Sequence, residues 1–174
     1  MTMTKLSQLT GDYVVDITRT RIGFVARHTM GPRVPGQFEE FAGRARVDGD
    51  DPSKSTAELT IQAASITTRN PRRDPALRDK FLDAANYPTI TFTSTKVDQV
   101  DERTVRLTGG LTVRGTTKPI TVELTLTDTD DDRLAVTGTA TINRRDWGVH
   151  WSAAGPLVST TVLVDLAVTA VRQP

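Results

Sequence analysis

An all-β domain, either a barrel or a sandwich, is the fold class this chain predicts, and three observations carry the prediction. β-Branched residues abound, with 29 threonines and 17 valines in 174 residues. Stiff at χ1, they suit a pleated sheet better than a helix. Apolar and polar residues alternate with period two in one segment after another, the pattern of strands with a dry and a wet face. Turn-forming clusters punctuate these segments at the spacing of an antiparallel sheet. The chain also carries only five Phe, two Trp and two Tyr, so few large side chains exist to fill an interior.

Along the chain, YVVDIT, RIGFVARHT and QFEEFAGRARVDG are less regular strands, with loops at MGPRVPG (30–36) and DGDDPSKS (48–55). Regular alternation then sets in. Ala57, Leu59, Ile61 and Ala63 share one face, and Ile90 and Phe92 alternate with Thr89, Thr91 and Thr93. Val105, Leu107, Leu111 and Val113 share a face, as do Val122, Leu124 and Leu126. Leu134, Val136, Ala140 and Ile142 follow, and Val162, Val164, Leu166 and Val168 close the series. DQVDERT (98–104) and DTDDDR (128–133) read as hairpin loops, and Gly115 in TVRGTTK as a turn. The count is eight or nine strands.

One segment breaks the pattern. In NPRRDPALRDKFLDAANYP (70–88), Asp74 followed by Pro75 is a helix start, with an N-cap acceptor and proline at the first helical position. Leu77 and Phe81 then fall on one face, and Asp74 is placed to pair with Arg78. A short helix of about 8–10 residues is expected, laid over an end or side of the sheet.

Composition excludes several classes of function. Twenty-two Lys+Arg against 21 Asp+Glu leave a net charge of +1, too little for a field that attracts nucleic acid. The absence of cysteine removes disulfides, thiolate metal sites and thiol catalysis. His28 and His150 are the only histidines, so a three-histidine metal site within one chain is impossible. No stretch reaches the ~20 apolar residues of a membrane-spanning helix, and MTMTKLSQLTGDYVVD has no apolar signal region. The expectation is a cytoplasmic protein with a short tail, residues 1–11, and one domain over 12–174.

No nucleophile–base set, metalloprotease motif, phosphate loop or dinucleotide fingerprint is present. The acidic run Asp128, Asp130, Asp131, Asp132 lacks a calcium-loop register and reads as a solvated hairpin. His28 ends an alternating strand, as a donor at a cavity mouth or as a histidine satisfied by backbone. Trp147 and Trp151 flank His150 in NRRDWGVHW, as a ligand lip or as strand-end packing. Arg69, Arg72, Arg73 and Arg78, with Lys80 nearby, either cradle an anionic head group or form a helix flank neutralised by Asp74, Asp79 and Asp83.

Taken together and in order, VDITRTRIGFVARH, VPGQFEEFAGRARVD, ASITTRN, YPTITFTSTKV, LTGGLTVRGTTKPITVELTL, TINRRDWGV and GPLVSTTVLVDLAV resemble the YceI-like family, lipid-binding lipocalin-like proteins of bacteria. The likeness runs from about residue 12 to residue 171. It departs at Arg73–Asp79, RDPALRD, where the family typically reads RD-x-HLRS, so the histidine role there does not transfer. The resemblance implies an extended eight-stranded antiparallel barrel around a long isoprenoid, such as a polyprenyl diphosphate or a quinone tail, and often a homodimer. Eight strands are indeed a barrel size able to hold one slender ligand.

On that barrel the alternation phases Phe24, Phe41, Leu59, Ile61, Phe92, Leu111, Val113, Leu124, Ile142 and Val164 inward. Trp147 is placed at the cavity, and Arg69 and Arg73, joined by His28, at a polar rim. The expected role is an isoprenoid carrier or store, with neither catalytic residues nor metal and no cofactor beyond the lipid. The rivals are an interaction protein with a filled barrel and a barrel enzyme acting on a prenyl substrate.

Overall fold

The computed structural model describes residues 8–27, 33–149 and 161–174. Among them, β1 (Gly11–Val15), β2 (Arg21–Arg27), β3 (Arg33–Phe38), β4 (Phe41–Val47), β5 (Thr56–Gln62) and β6 (Ile66–Thr67) form the first half. The second half holds β7 (Thr89–Gln99), β8 (Thr104–Val113), β9 (Thr116–Thr129), β10 (Arg133–Asn143) and β11 (Thr161–Arg172). Every pairing is antiparallel. The sheet runs β1-β4-β5-β7-β8-β9-β10-β11 and closes through β1–β11, with β2, β3 and β6 continuing from β11.

The eleven segments make eight strands. β1 and β2 form one bent strand, broken by a 3-10 turn at Ile17–Arg19 that Asp16 caps through the Thr18 amide. β3 continues into β4 and β5 into β6, and each half pairs with the corresponding half of its neighbour. The result is a closed, eight-stranded, up-and-down antiparallel barrel, a closure that removes free sheet edges.

At the hairpin end lie the loops 48–55, 100–103 and 130–132, together with both described chain termini. At the other, the helix end, lie the 68–88 segment, the two-residue turn Arg114–Gly115 and the turn at 144–149. Arg114 and Gly115 have φ values of 51° and 73°, the paired positive angles that a tight β-hairpin demands.

Three expectations are corrected. Residues 33–36, read as loop from their Gly and Pro content, belong to β3, where Pro35 faces Val25 of β2. That part of β3 pairs with β2 alone, β6 reaching only Gln37 and Phe38, so the missing proline N–H is tolerated as at a sheet edge. The helix is a single α-helical turn, α1 (Asp74–Ala76), continued by a π-helical turn, Leu77–Phe81. Asp74 does not cap it. Its carboxylate accepts the Thr68 amide at 2.9 Å and the hydroxyls of Thr67 and Thr68, tying the strand exit to the helix, while Arg78 pairs with Asp79 instead.

Candidate ligand-binding cavity

Cross-strand register decides which residues meet inside the barrel. Leu59 stands opposite Phe92, and Ile61 opposite both Phe41 and Ile90. Phe92 faces Leu111, Val105 faces Leu124, Ala140 faces Val164, and Val164 also faces Phe24. Because directly opposed residues share a face, the alternating apolar sets of all eight strands converge on one lumen.

That lumen is hollow. A cavity of about 410 Å³ runs the length of the barrel, from Tyr13, Leu126 and Ala170 at the hairpin end to Phe81, Trp147 and Val149 at the helix end. Its size falls in the ~300–1,000 Å³ range of small-molecule sites. The burial pattern agrees. Inward residues of the middle, such as Phe24, Leu59, Phe92, Leu111, Leu124 and Val164, are only half-buried because they face open space. The packed cluster lies towards the helix end, around Ile61, Phe81, Leu82, Ile90, Val113 and Trp147.

The described residues cover the two ends differently. At the hairpin end, Leu9 and Tyr13 are fully buried. The Tyr13 hydroxyl donates to the Leu9 carbonyl at 2.7 Å and accepts from the Arg172 guanidinium. At the helix end, Leu77 and Phe81 reach into the cavity wall. Arg114 fastens that lid by donating to the carbonyls of Lys80, Phe81 and Gly148. Trp147 is buried in the wall, its indole N–H donating to the Leu111 carbonyl at 2.8 Å.

Arg144 also belongs to this end. It is buried, lines the cavity, donates to the Val149 carbonyl and carries its guanidinium 5.7 Å from the Phe81 ring centre. Burial pushes its pKa down, with help from the neighbouring Arg145 charge.

The sequence-predicted residues sort clearly by position. Phe24, Leu59, Ile61, Phe92, Leu111, Val113, Leu124, Ile142, Trp147 and Val164 all lie in the cavity wall. Phe41 shares the inward register but packs against the helix-end cluster and is not a wall residue. Arg69 and Arg73 lie on the helix-end segment outside the wall, Arg69 exposed with φ 58° and Arg73 half-buried. Of the acids expected to neutralise the arginine cluster, Asp79 pairs with Arg78 of that cluster, while Asp74 is engaged by threonines and Asp83 by Asn86. His28, and His150 with Trp151, lie outside the described residues. Sequence reasoning missed Leu9, Tyr13, Arg114 and Arg144, since nothing in a local pattern marks which leucine, tyrosine or arginine will sit at a barrel end.

Among the described residues no group of His, Asp and Glu is arranged to hold a metal, and no helix is long and apolar enough to cross a membrane. Glu58, the one carboxylate residue bordering the cavity among the described residues, lies on the outward face of β5, exposed and paired with Arg44 at 3.0 Å.

The family model of the YceI-like domain matches residues 13–170. A UPF0312 protein of Pseudomonas savastanoi pv. phaseolicola is 31% identical over 173 residues, covering 95% of this chain and 88% of the relative. Among solved structures, BcnA of Burkholderia cenocepacia superimposes with a TM-score of 0.82 at 23% identity, over 89% of this chain and 98% of that one. A polyisoprenoid binding domain from Saccharophagus degradans, implicated in plant cell wall breakdown, superimposes with a TM-score of 0.78 at 21% identity, over 92% and 98%. At these identities the likeness to the two structures establishes the fold.

Proposed function

Since the chain belongs to the YceI-like domain family, we propose that its barrel binds a long isoprenoid lipid, a polyprenyl diphosphate or a quinone-like tail, as a carrier or store without catalysis. The observation that carries this reading is the continuous apolar cavity along the barrel axis. Burying a methylene gains ~0.8 kcal/mol, so each five-carbon isoprene unit contributes on the order of 3 kcal/mol before ordering costs. Such a ligand needs length and dryness from its site. The polyisoprenoid binding domain of similar fold supports the same class. The hollow middle disfavours an interaction protein with a filled barrel. Among the described residues, the scarcity of carboxylates in the wall offers an enzyme little acid–base machinery.

In this reading the ring and branched side chains predicted inward grip the tail, and Arg69 and Arg73 meet an anionic head at the helix end. Guanidinium forks suit a diphosphate that stays partly hydrated. Mass spectrometry of organic extracts from the purified protein tests the proposal. An isoprenoid in stoichiometric amount is expected. Absence of any lipid, together with failure to take up an added polyprenyl diphosphate or quinone, overturns it.

A further inference from the structure

Glycine is an unexpected residue for the wall of an apolar cavity, since it offers no side chain to pack. Yet Gly36, Gly43, Gly109 and Gly138 all sit at inward positions of their strands, each beside a large apolar side chain of the neighbouring strand. Gly36 is directly opposite Phe24, Gly43 opposite Leu59, and Gly138 opposite Leu124. Gly109 is opposite Ser94, two positions along β7 from Phe92. All four large residues line the cavity.

The fit is close. A Cβ at Gly36 would stand 2.8 Å and 2.9 Å from the two Cε atoms of Phe24, inside its ring envelope. At Gly109 it would come within 2.5 Å of the Phe92 Cζ, at Gly138 within 2.6 Å of a Leu124 methyl, and at Gly43 within 3.1 Å of a Leu59 methyl. At Gly36, Gly109 and Gly138 real Cβ atoms do not approach that closely, and at Gly43 the contact would be unusually tight. The large side chains therefore lie over the glycines, flat against the wall.

We infer that these four glycines are recesses that set the bore of the cavity, and that the width they free admits a methyl-branched chain. The inference rests on the lipid-binding reading for its ligand, while the recesses themselves are geometric. Small barrels place small residues beside large ones to shape their interior. Here the pairing keeps side chains out of the lumen that would otherwise occupy it. A straight alkyl chain needs less cross-section than an isoprenoid of equal carbon number, so narrowing should penalise the branched chain first.

Gly36 is the discriminating position. At Gly43, Gly109 and Gly138 a neighbouring backbone carbonyl would also crowd an added Cβ, whereas at Gly36 the three nearest atoms all belong to the Phe24 ring. Gly36 is not among the glycines with positive φ, so alanine is conformationally allowed there. Gly36→Ala asks only that the ring leave its recess.

The experiment compares the wild type with Gly36→Ala, with Phe24→Leu and with the double variant. The probes are geranylgeraniol and 1-eicosanol, each with twenty carbons, titrated by native mass spectrometry. Gly36→Ala is expected to weaken geranylgeraniol about tenfold relative to 1-eicosanol, the scale of an overpacked site. Restoring room with Phe24→Leu in the Gly36→Ala background is expected to recover it. Phe24→Leu alone, which widens the bore without touching Gly36, should favour geranylgeraniol and keeps the test in hand if Gly36→Ala folds poorly. Equal losses for both alcohols, or selectivity unchanged in every variant, overturn the inference. If the wild type takes up neither alcohol, the lipid reading fails instead. A crystal structure of Gly36→Ala then still decides the bore, a ring swung into the lumen supporting it and a ring displaced elsewhere overturning it.

Discussion

Arg172 and Tyr13, 159 residues apart, close the hairpin end of the barrel as a unit. The Arg172 Nη2 and Nε donate to the tyrosine hydroxyl at 2.9 and 3.2 Å, and the guanidinium carbon stands 5.6 Å from that ring centre. The hydroxyl in turn donates to the Leu9 carbonyl. One buried oxygen thus joins the N-terminal segment, the first strand and the last, where the barrel seam closes through β1–β11.

Tyr13→Phe removes that oxygen and leaves the Leu9 carbonyl without its donor. A loss of about 1–3 kcal/mol is expected, read as a lower urea midpoint at unchanged slope. An unchanged midpoint would show that the seam does not depend on this network.

Asp74 makes the helix-end strap pH-sensitive. Burial alone would raise its carboxyl, but the Thr68 and Thr67 donors, with the Asn70 backbone, outweigh it and hold the pKa below the ordinary value of 3.8. A depressed folded pKa gives stability that is complete above the unfolded value and lost as pH falls through the folded one. Asp74→Asn should therefore lower the melting temperature at pH 7, with the gap to wild type shrinking below pH 3.8. A gap constant across that range would contradict the assignment.

A charge inside the lumen should be intolerable. Leu124→Asp and Ile61→Asp place a carboxylate in the apolar wall, where an unpaired charge is costly. Loss of lipid uptake or of folding is expected. Leu124→Met, conserving volume, should cost less than about 1.5 kcal/mol and keep uptake. A Leu124→Asp protein that loads lipid normally would refute the assigned lumen.

The helix-end arginines can be separated from the tail site by ligand choice. For Arg69→Gln with Arg73→Gln, affinity for a prenyl diphosphate should fall by ~1.5–3 kcal/mol per lost charged hydrogen bond, roughly tenfold or more for each. A polyprene without a head group should bind as before. Equal losses for both ligands, or none for either, would remove these residues from the site.

We propose, separately, that the chain pairs with a second copy. Val14 and Ile17 expose 44% and 58% of their surface near the barrel seam, and the net charge of +1 offers little long-range repulsion. A homodimer is expected by light scattering at micromolar concentration. A mass of 19.0 kDa, that of one chain, would refute it.

Much of the wall was legible in the sequence because side-chain direction along a strand has period two. Once Val105, Leu107, Leu111 and Val113 are seen to alternate, their common face follows without knowledge of any partner. The helix start was legible only in part. Asp74–Pro75 marks a turn by its residue types, but whether the carboxylate caps its own helix or the strand before it depends on where Thr67 and Thr68 are held.

The sequence by itself determined that the chain is β-rich, where most strands run and which face of each is apolar, since these depend on residues within a few positions of one another. Tertiary structure alone decided that the barrel closes, that its middle stays open, that Tyr13 meets Arg172 and that Phe24 lies over Gly36. Each of these is set by register between strands. A register shift of one residue reverses every side chain, so the outcome depends on the whole sheet packing at once.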